Sequence, residues 1–370
     1  MDNNIEEKLK SRKADGSIRN LRVENDLIDF CSNDYLGFAR SVELKNRINN
    51  FFTNNDSILN GATGSRLISG NYRITEEVEN LISGFHHSEA GLIFNSGYDA
   101  NLGLYSCLPQ RGDTIFYDEY VHASIRDGIR LSYASHYSFR HNDVEHLREL
   151  FRLAKGNVYI AIESVYSMDG DIAAIDDIVE ICSDMGANLI IDEAHATGVV
   201  GRIGEGLISS KGYEDKVFAR VHTFGKALGT HGAIVLGSNN LRNYLINFAR
   251  SFIYTTALPL HSIVSIKCAY ELLFKSENDI NKLKANIKHF CKEVKSHNLN
   301  IVPNKSPIQS IIIEGNEKVK ELSGKIVSGG FDIRPILSPT VPKGKERIRI
   351  CLHAFNSFEE ISKLACDLKD

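Results

Sequence analysis

The stretch Ala187-Asn188-Leu189-Ile190-Ile191-Asp192-Glu193-Ala194-His195-Ala196-Thr197-Gly198 decides the fold. Residues 189–191 form a short apolar run without alternation, the pattern of a strand buried on both faces of a parallel sheet. The run empties directly into Asp192, Glu193 and His195. In open α/β sheets chemistry collects just beyond the carboxyl ends of the strands, so this polar end marks a site as well as a strand. Upstream, residues 176–185 predict a helix with Ile178, Val179, Cys182 and Met185 on one face, ended by Gly186. Before it, residues 158–162 predict an apolar strand that delivers Glu163. Strand, helix, strand at this spacing is a βαβ unit, which implies parallel strands and an α/β fold.

About thirty residues downstream lies His222-Thr223-Phe224-Gly225-Lys226-Ala227-Leu228-Gly229-Thr230-His231-Gly232, between apolar runs at 217–221 and 233–237. It reads as a loop between two strands. Glycine lets backbone approach where a Cβ would collide, so Lys226 can be held close to a ligand. Taken singly, each signal has a plain structural reading: a solvated lysine in a turn, Asp192 as a helix cap, His195 as a core histidine. Taken together they suggest pyridoxal 5'-phosphate (PLP). Its ring nitrogen needs a carboxylate, its aldehyde needs a lysine, and its phosphate needs small hydroxyls and backbone N–H groups.

The 370 residues are 42% apolar and 24% charged, with a net charge of −4. That is an ordinary globular composition, long enough for two domains, and not the basic balance of a nucleic-acid protein. Seven scattered cysteines, none in a C-x-x-C pair, form neither a disulfide framework nor a zinc pattern, and no metal is expected. Residues 1–7 are acidic and lack the apolar core of a signal peptide, no run approaches a membrane span, and a cytoplasmic setting is expected.

Elsewhere, residues 6–13 predict a helix ended by Gly16, and 27–31 a short strand leading to Asn33. A glycine-rich segment runs from 60 to 70, and Thr75 reads as the cap of a helix with Val78, Leu81, Ile82 and Phe85 inward. A strand at 90–94 feeds Asn95-Ser96-Gly97-Tyr98, an anion site because free N–H groups and the helix dipole both favour phosphate. A strand at 114–117 leads towards His122, and a helix covers 143–155. Helices follow at 261–274 and 279–297, then a strand at 309–313, a helix at 319–327 and a strand at 331–336. Ser357 and Glu360 form a capping box for a last helix with Phe358, Ile361, Leu364, Ala365 and Leu368 inward.

Asn33-Asp34-Tyr35-Leu36-Gly37, Gly64-Ser65-Arg66, Ser167-Met168-Asp169-Gly170-Asp171, Asp192-Glu193-Ala194-His195 and Thr223-Phe224-Gly225-Lys226 resemble the α-oxoamine synthase family, as do Pro339-Thr340-Val341-Pro342 and Arg347-Ile348-Arg349. The resemblance spans nearly the whole chain in the family's order. It implies a fold type I PLP-dependent transferase: a large domain with a mostly parallel seven-stranded sheet, and a smaller α+β domain from the two termini. The expected division is 1–45, joining the small domain; 46–260, binding PLP; and 261–370, the C-terminal small domain.

The resemblance also implies the site. Lys226, Asp192, His195 and His122 would be catalytic, with His122 flat on the ring and His195 on its phenolic oxygen. Ser96, Gly97, Tyr98, Ser167 and Thr223 would complete the cofactor site, and Thr256 would reach the partner's phosphate in a homodimer with shared active sites. Arg19 (with Arg22 as its rival), Asn33, Ser65, His122, Thr340 and Arg349 would meet the substrates. The implied reaction is decarboxylative condensation of an amino acid with an acyl-CoA or acyl-carrier-protein thioester. Ala196-Thr197-Gly198-Val199 resembles the users of L-alanine, with a pimeloyl acyl group; serine and glycine users are the alternatives. A non-catalytic subunit is disfavoured because Lys226, Asp192 and His195 are all present. A PLP-binding regulator would need a DNA-binding module for which the acidic start leaves no room. A NAD enzyme lacks its G-x-G-x-x-G after a first strand.

Overall fold

The computed structural model describes residues 3–21, 23, 26–55, 60–297, 299, 301 and 304–369. The chain forms two compact units, Asp34–Ser167 with Asp171–Ile280, and Met1–Asn33 with Met168–Gly170 and Asn281–Asp370. One division falls inside the helix Glu277–Ser296. Among the described residues no helix is long and apolar enough to cross a membrane.

The larger unit is built on seven strands: β1 (Ala90–Phe94), β2 (Thr114–Asp118), β3 (Ser135–Phe139), β4 (Val158–Glu163), β5 (Asn188–Asp192), β6 (Ala219–Thr223) and β7 (Ala233–Gly237). Their spatial order is β1-β7-β6-β5-β4-β2-β3. From β3 across to β6 every pair is parallel; β7 alone runs antiparallel to its neighbours β1 and β6. The mostly parallel seven-stranded sheet is therefore present, and so is the βαβ unit made by β4, the helix Ile175–Met185 and β5.

All six residues of β4 are buried, which explains its unbroken apolar run. Tyr159 and Ala161 point into one core with Leu104 and Ile125; Val158, Ile160 and Ile162 point into another with Leu147 and Ile178. This period of two puts helices on both faces of the sheet. Each fully buried Ile or Leu contributes roughly 1.5–3 kcal/mol, so these two layers supply most of the driving force. The helix Ile175–Met185 starts with Asp176 and Asp177 at its positive end and stops where Gly186 turns left-handed at φ 65°, with Ala187 N–H returning to Cys182 O at 2.9 Å.

Several local expectations are corrected. Thr75 does not cap a helix: the helix is Arg73–Phe85, Tyr72 precedes it, and Thr75 is buried in its first turn. The run at 217–221 becomes a strand two residues later, so that Thr223 ends β6. The helix at 143–155 is Val144–Leu150 followed by a 3₁₀ turn, Phe151–Leu153. The strand expected at 27–31 keeps only Ile28–Asp29, and Met185 is exposed.

In the smaller unit β8 (Ile308–Ile312), β9 (Arg334–Ile336) and β10 (Arg347–Cys351) form an antiparallel sheet in the order β9-β10-β8. Ile28–Asp29 from the N-terminal part pairs in parallel with Phe331–Asp332. The strand expected at 331–336 is thus two strands in two sheets. The last helix, Phe358–Asp367, has the Ser357–Glu360 capping box, but Phe358 is exposed while Ile361, Leu364 and Ala365 face inward.

Candidate active site

Four neighbouring strands of the larger sheet end on polar residues at their carboxyl ends: Asp118 on β2, Glu163 on β4, Asp192 on β5 and Thr223 on β6. His122 follows four residues after Asp118, and His195 and Lys226 follow three after Asp192 and Thr223. The parallel order alone therefore gathers the expected groups at one edge of the sheet.

Two hydrogen-bonded chains organise them. In the first, Lys226 Nζ lies 3.0 Å from His195 Nε2, and His195 Nδ1 lies 2.8 Å from the hydroxyl of Tyr35, which is fully buried. In the second, the buried Asp192 takes the Ala194 N–H on Oδ1 at 2.8 Å and an Asn101 side-chain N–H on Oδ2 at 2.7 Å. The same Asn101 nitrogen donates to Ser124 Oγ at 3.0 Å, and Ser124 Oγ lies 2.8 Å from His122 Nδ1. The His122 backbone N–H donates to Glu163, whose carboxyl is pushed up from its ordinary value by burial and by the nearby Asp192 charge. The ring of His122 is exposed.

The loop that carries Lys226 is closed on itself by Phe224 N–H to Gly232 O and Gly229 N–H to Lys226 O, both 2.9 Å. Gly229 is left-handed (φ 59°), and a Cβ there would overlap the Ala39 backbone nitrogen. Gly97 opens the helix Gly97–Cys107, whose cap is Ser96; Ser96 Oγ accepts the Asp99 N–H and donates to Asp99 Oδ2 at 2.7 Å. A Cβ on Gly97 would lie 2.5 Å from Thr223 Cγ2, so Thr223 faces the first turn of that helix. Thr223 Oγ1 is buried with no hydrogen-bond partner among the described residues.

These groups fit PLP. An orphaned hydroxyl beside a helix N-terminus suits a phosphate, a buried carboxylate suits a pyridinium nitrogen, an amine beside an imidazole suits an aldehyde, and an exposed imidazole leaves a face for a ring. Tyr98 is exposed in the first turn, and Ser167 is half-buried in the turn after β4. Ser65 closes its own turn, its carbonyl accepting from Ile68, Ser69 and Gly70. Thr256 is exposed, on a loop tied down by Asn95 Nδ2 to Thr256 O at 2.8 Å.

The remaining expected substrate residues lie in the smaller unit. Arg349 donates from Nη2 to Asn33 Oδ1 and from Nη1 to Cys351 Sγ, both 3.0 Å. Arg19 Nη2 donates to Thr340 Oγ1 at 2.9 Å. Arg12, Ser17, Arg19 and Thr340 line one open cavity of about 280 Å³. Arg22 lies outside the described residues.

Asn101, Ser124 and Tyr35 were not singled out from the sequence. Asn101 carried a signal: an asparagine inside a helix is disfavoured, and here it is 1% exposed, so it had to be bonded to something. Tyr35 lay within the family-like run 33–37, but its partner is 160 positions away and no local pattern gave it a role.

The sequence matches the aminotransferase class I and II family over residues 25–367. An 8-amino-7-oxononanoate synthase of Emericella nidulans is 43% identical, over 97% of this chain and 93% of its own. The solved 8-amino-7-oxononanoate synthase of Francisella tularensis is 30% identical, with a TM-score of 0.78 over 94% of this chain and 98% of that one. A serine palmitoyltransferase variant solved with PLP is 26% identical, with a TM-score of 0.89 over 100% and 96%. The chain is a PLP-dependent acyltransferase that belongs to the aminotransferase class I and II family and, within it, to the α-oxoamine synthases.

Proposed function

We propose that the chain condenses L-alanine with a pimeloyl thioester, carried on CoA or on an acyl-carrier protein, to give 8-amino-7-oxononanoate, CO2 and the free thiol, a step of biotin synthesis. The observation that carries this reading is the 43% identity, over 97% of the chain, to a protein named for that product. Ala196-Thr197-Gly198-Val199, like the alanine users, supports it.

When bound, PLP supplies an aldehyde that takes up amines and a ring that draws electrons from the carbon beside that amine. In this reading Lys226 would be the amine offered to that aldehyde and, as a free amine, would take the proton from the substrate Cα. His195, 3.0 Å from Lys226 Nζ, steadies that amine and would be the partner of the cofactor's phenolic oxygen. Asp192 would keep a proton on the ring nitrogen, and His122 would offer a face to the ring. Ser96, Gly97, Tyr98, Ser167 and Thr223 would hold the cofactor, and Thr256 would complete the phosphate site of a second copy in a cytoplasmic homodimer. Arg349, oriented by Asn33, takes the amino-acid carboxylate, because a guanidinium fork matches it. Arg19 and Thr340 would meet the acyl substrate, and Ser65 would be a further substrate contact.

The test is an absorbance spectrum of the purified protein with PLP, then with L-alanine, glycine and L-serine added separately. A band near ~420 nm that is lost with borohydride and in Lys226→Ala is expected, with a further shift for alanine. Pimeloyl-CoA should then release free thiol, read by a colorimetric reagent. A response to serine alone would move the reading to serine palmitoyl transfer, the second reading, favoured by the structural match. No band with excess PLP would overturn the assignment of Lys226.

A further inference from the structure

The roles given above to Asp192 and His122 are independent of one another, yet one residue touches both of their environments. Asn101 sits in the helix Gly97–Cys107 and spends both side-chain N–H groups, one on Asp192 Oδ2 at 2.7 Å and one on Ser124 Oγ at 3.0 Å. Its orientation is forced. A carboxylate only accepts, so the amide nitrogen must face Asp192. The cost is visible: Asn101 Oδ1 is buried with no hydrogen-bond partner among the described residues. A buried amide that leaves its acceptor unmet in order to place two donors is specified by those donors.

The second donor has a direct consequence for His122. With Asn101 donating to Ser124 Oγ, the Ser124 hydroxyl hydrogen is turned towards His122 Nδ1, 2.8 Å away. The Ser124 backbone N–H points at the same nitrogen, at 3.2 Å. Two donors on Nδ1 leave the proton of the neutral ring on Nε2. We infer that Asn101 is a positioning residue that couples the Asp192 carboxylate to the His122 ring through Ser124, fixing the ring's tautomer and orientation while it aims the carboxylate. This rests on the proposed roles of Asp192 and His122 towards PLP. The charges that act on His122 are Asp192, Lys226 and Asp127, and Glu163 holds its backbone N–H.

The test reads His122 by NMR titration of its ring carbon in the PLP-free protein, and PLP affinity by fluorescence titration. In Asn101→Ala the Ser124 hydroxyl is released and can accept from a protonated Nδ1, so the His122 midpoint should rise by roughly half a unit to one unit. Ser124→Ala should produce a shift of the same sign. The double variant should shift His122 no further than the larger single one, since both cut one chain. PLP binding should weaken about tenfold or more in Asn101→Ala. Asn101→Leu, of similar size and with neither donor nor charge, carries the same test if Asn101→Ala does not fold. Additive shifts in the double variant, or an unmoved His122 midpoint, would overturn the coupling. Asp192→Asn separates the two readings: if it leaves PLP affinity intact, the role of Asp192 falls, while the coupling stands or falls on the His122 titration.

Discussion

Two sets of histidines in the larger unit are placed with opposite charge in mind. His141 has a carboxylate on each ring nitrogen: Asp118 at 3.0 Å from Nδ1 and Asp171 at 2.6 Å from Nε2. Both positions accept, so both nitrogens must donate and the ring is an imidazolium. Burial alone would lower its pKa, but the hydrogen bonds it donates to Asp118 and Asp171, and their charges, carry it up to about 10. The rings of His86 and His222 lie 3.9 Å apart, tilted by 33°, and both residues are fully buried. Each has one acceptor and no carboxylate: His86 gives Nδ1–H to Glu205 O and accepts from the Tyr270 hydroxyl, and His222 gives Nδ1–H to Thr197 Oγ1. Burial and the Arg220 charge push His86 down to about 3, and burial holds His222 well below its usual range. What decides the charge is which partners face the ring, because depth alone would make both sets neutral.

The largest expected effect is on the alkaline side. The raised pKa of His141 contributes stability that is complete below about pH 6.5 and lost as pH rises through about 10. Between pH 7 and 10 this group should cost on the order of 3 kcal/mol of folding free energy, measured by urea unfolding. His141→Gln, neutral throughout, should show a flatter slope; equal slopes would break the contrast. On the acid side the sign reverses. The depressed pKa of His86 contributes stability above about pH 6.5 that is lost as pH falls towards 3, about 1.5 kcal/mol between pH 6.5 and 5. Its NMR resonance should stay that of a neutral ring at pH 5, and a midpoint near 6 would remove one side of the comparison. The smallest effect sharpens it. Tyr120 stacks on His141 at 4.4 Å with the rings 20° apart. Tyr120→Leu should remove about 0.5 kcal/mol of cation–π attraction and lower the His141 midpoint slightly, in the same titration.

The strands and the residues at their ends were legible because each is a local pattern: an apolar run, then an acid, a histidine or a lysine. β4 and β5 are buried on both faces and announce themselves. β3 did not, because this edge strand, Ser-His-Tyr-Ser-Phe, buries only its last residue. Thr75 misled for a similar reason, since a threonine before two acids resembles a cap wherever the backbone in fact begins its helix. The strand expected at 331–336 hid a change of sheet, which no periodicity records. Within the site, Lys226, Asp192 and His195 were readable from short spacing. Asn101, Ser124 and Tyr35 were not, because their meaning lies in partners 91, 23 and 160 positions away.

Gly229 gives the lysine loop a mechanical property. Its missing side chain lets that loop lie backbone against backbone on Ala39, four residues beyond Tyr35. The separation between the two ends of the Lys226–His195–Tyr35 chain is then set by main-chain contact rather than by the flexible arms that span it. Thermal motion of the loop must carry the Tyr35 segment with it, so the amine and its neighbours drift as a body and keep their spacing, like instruments bolted to one bench.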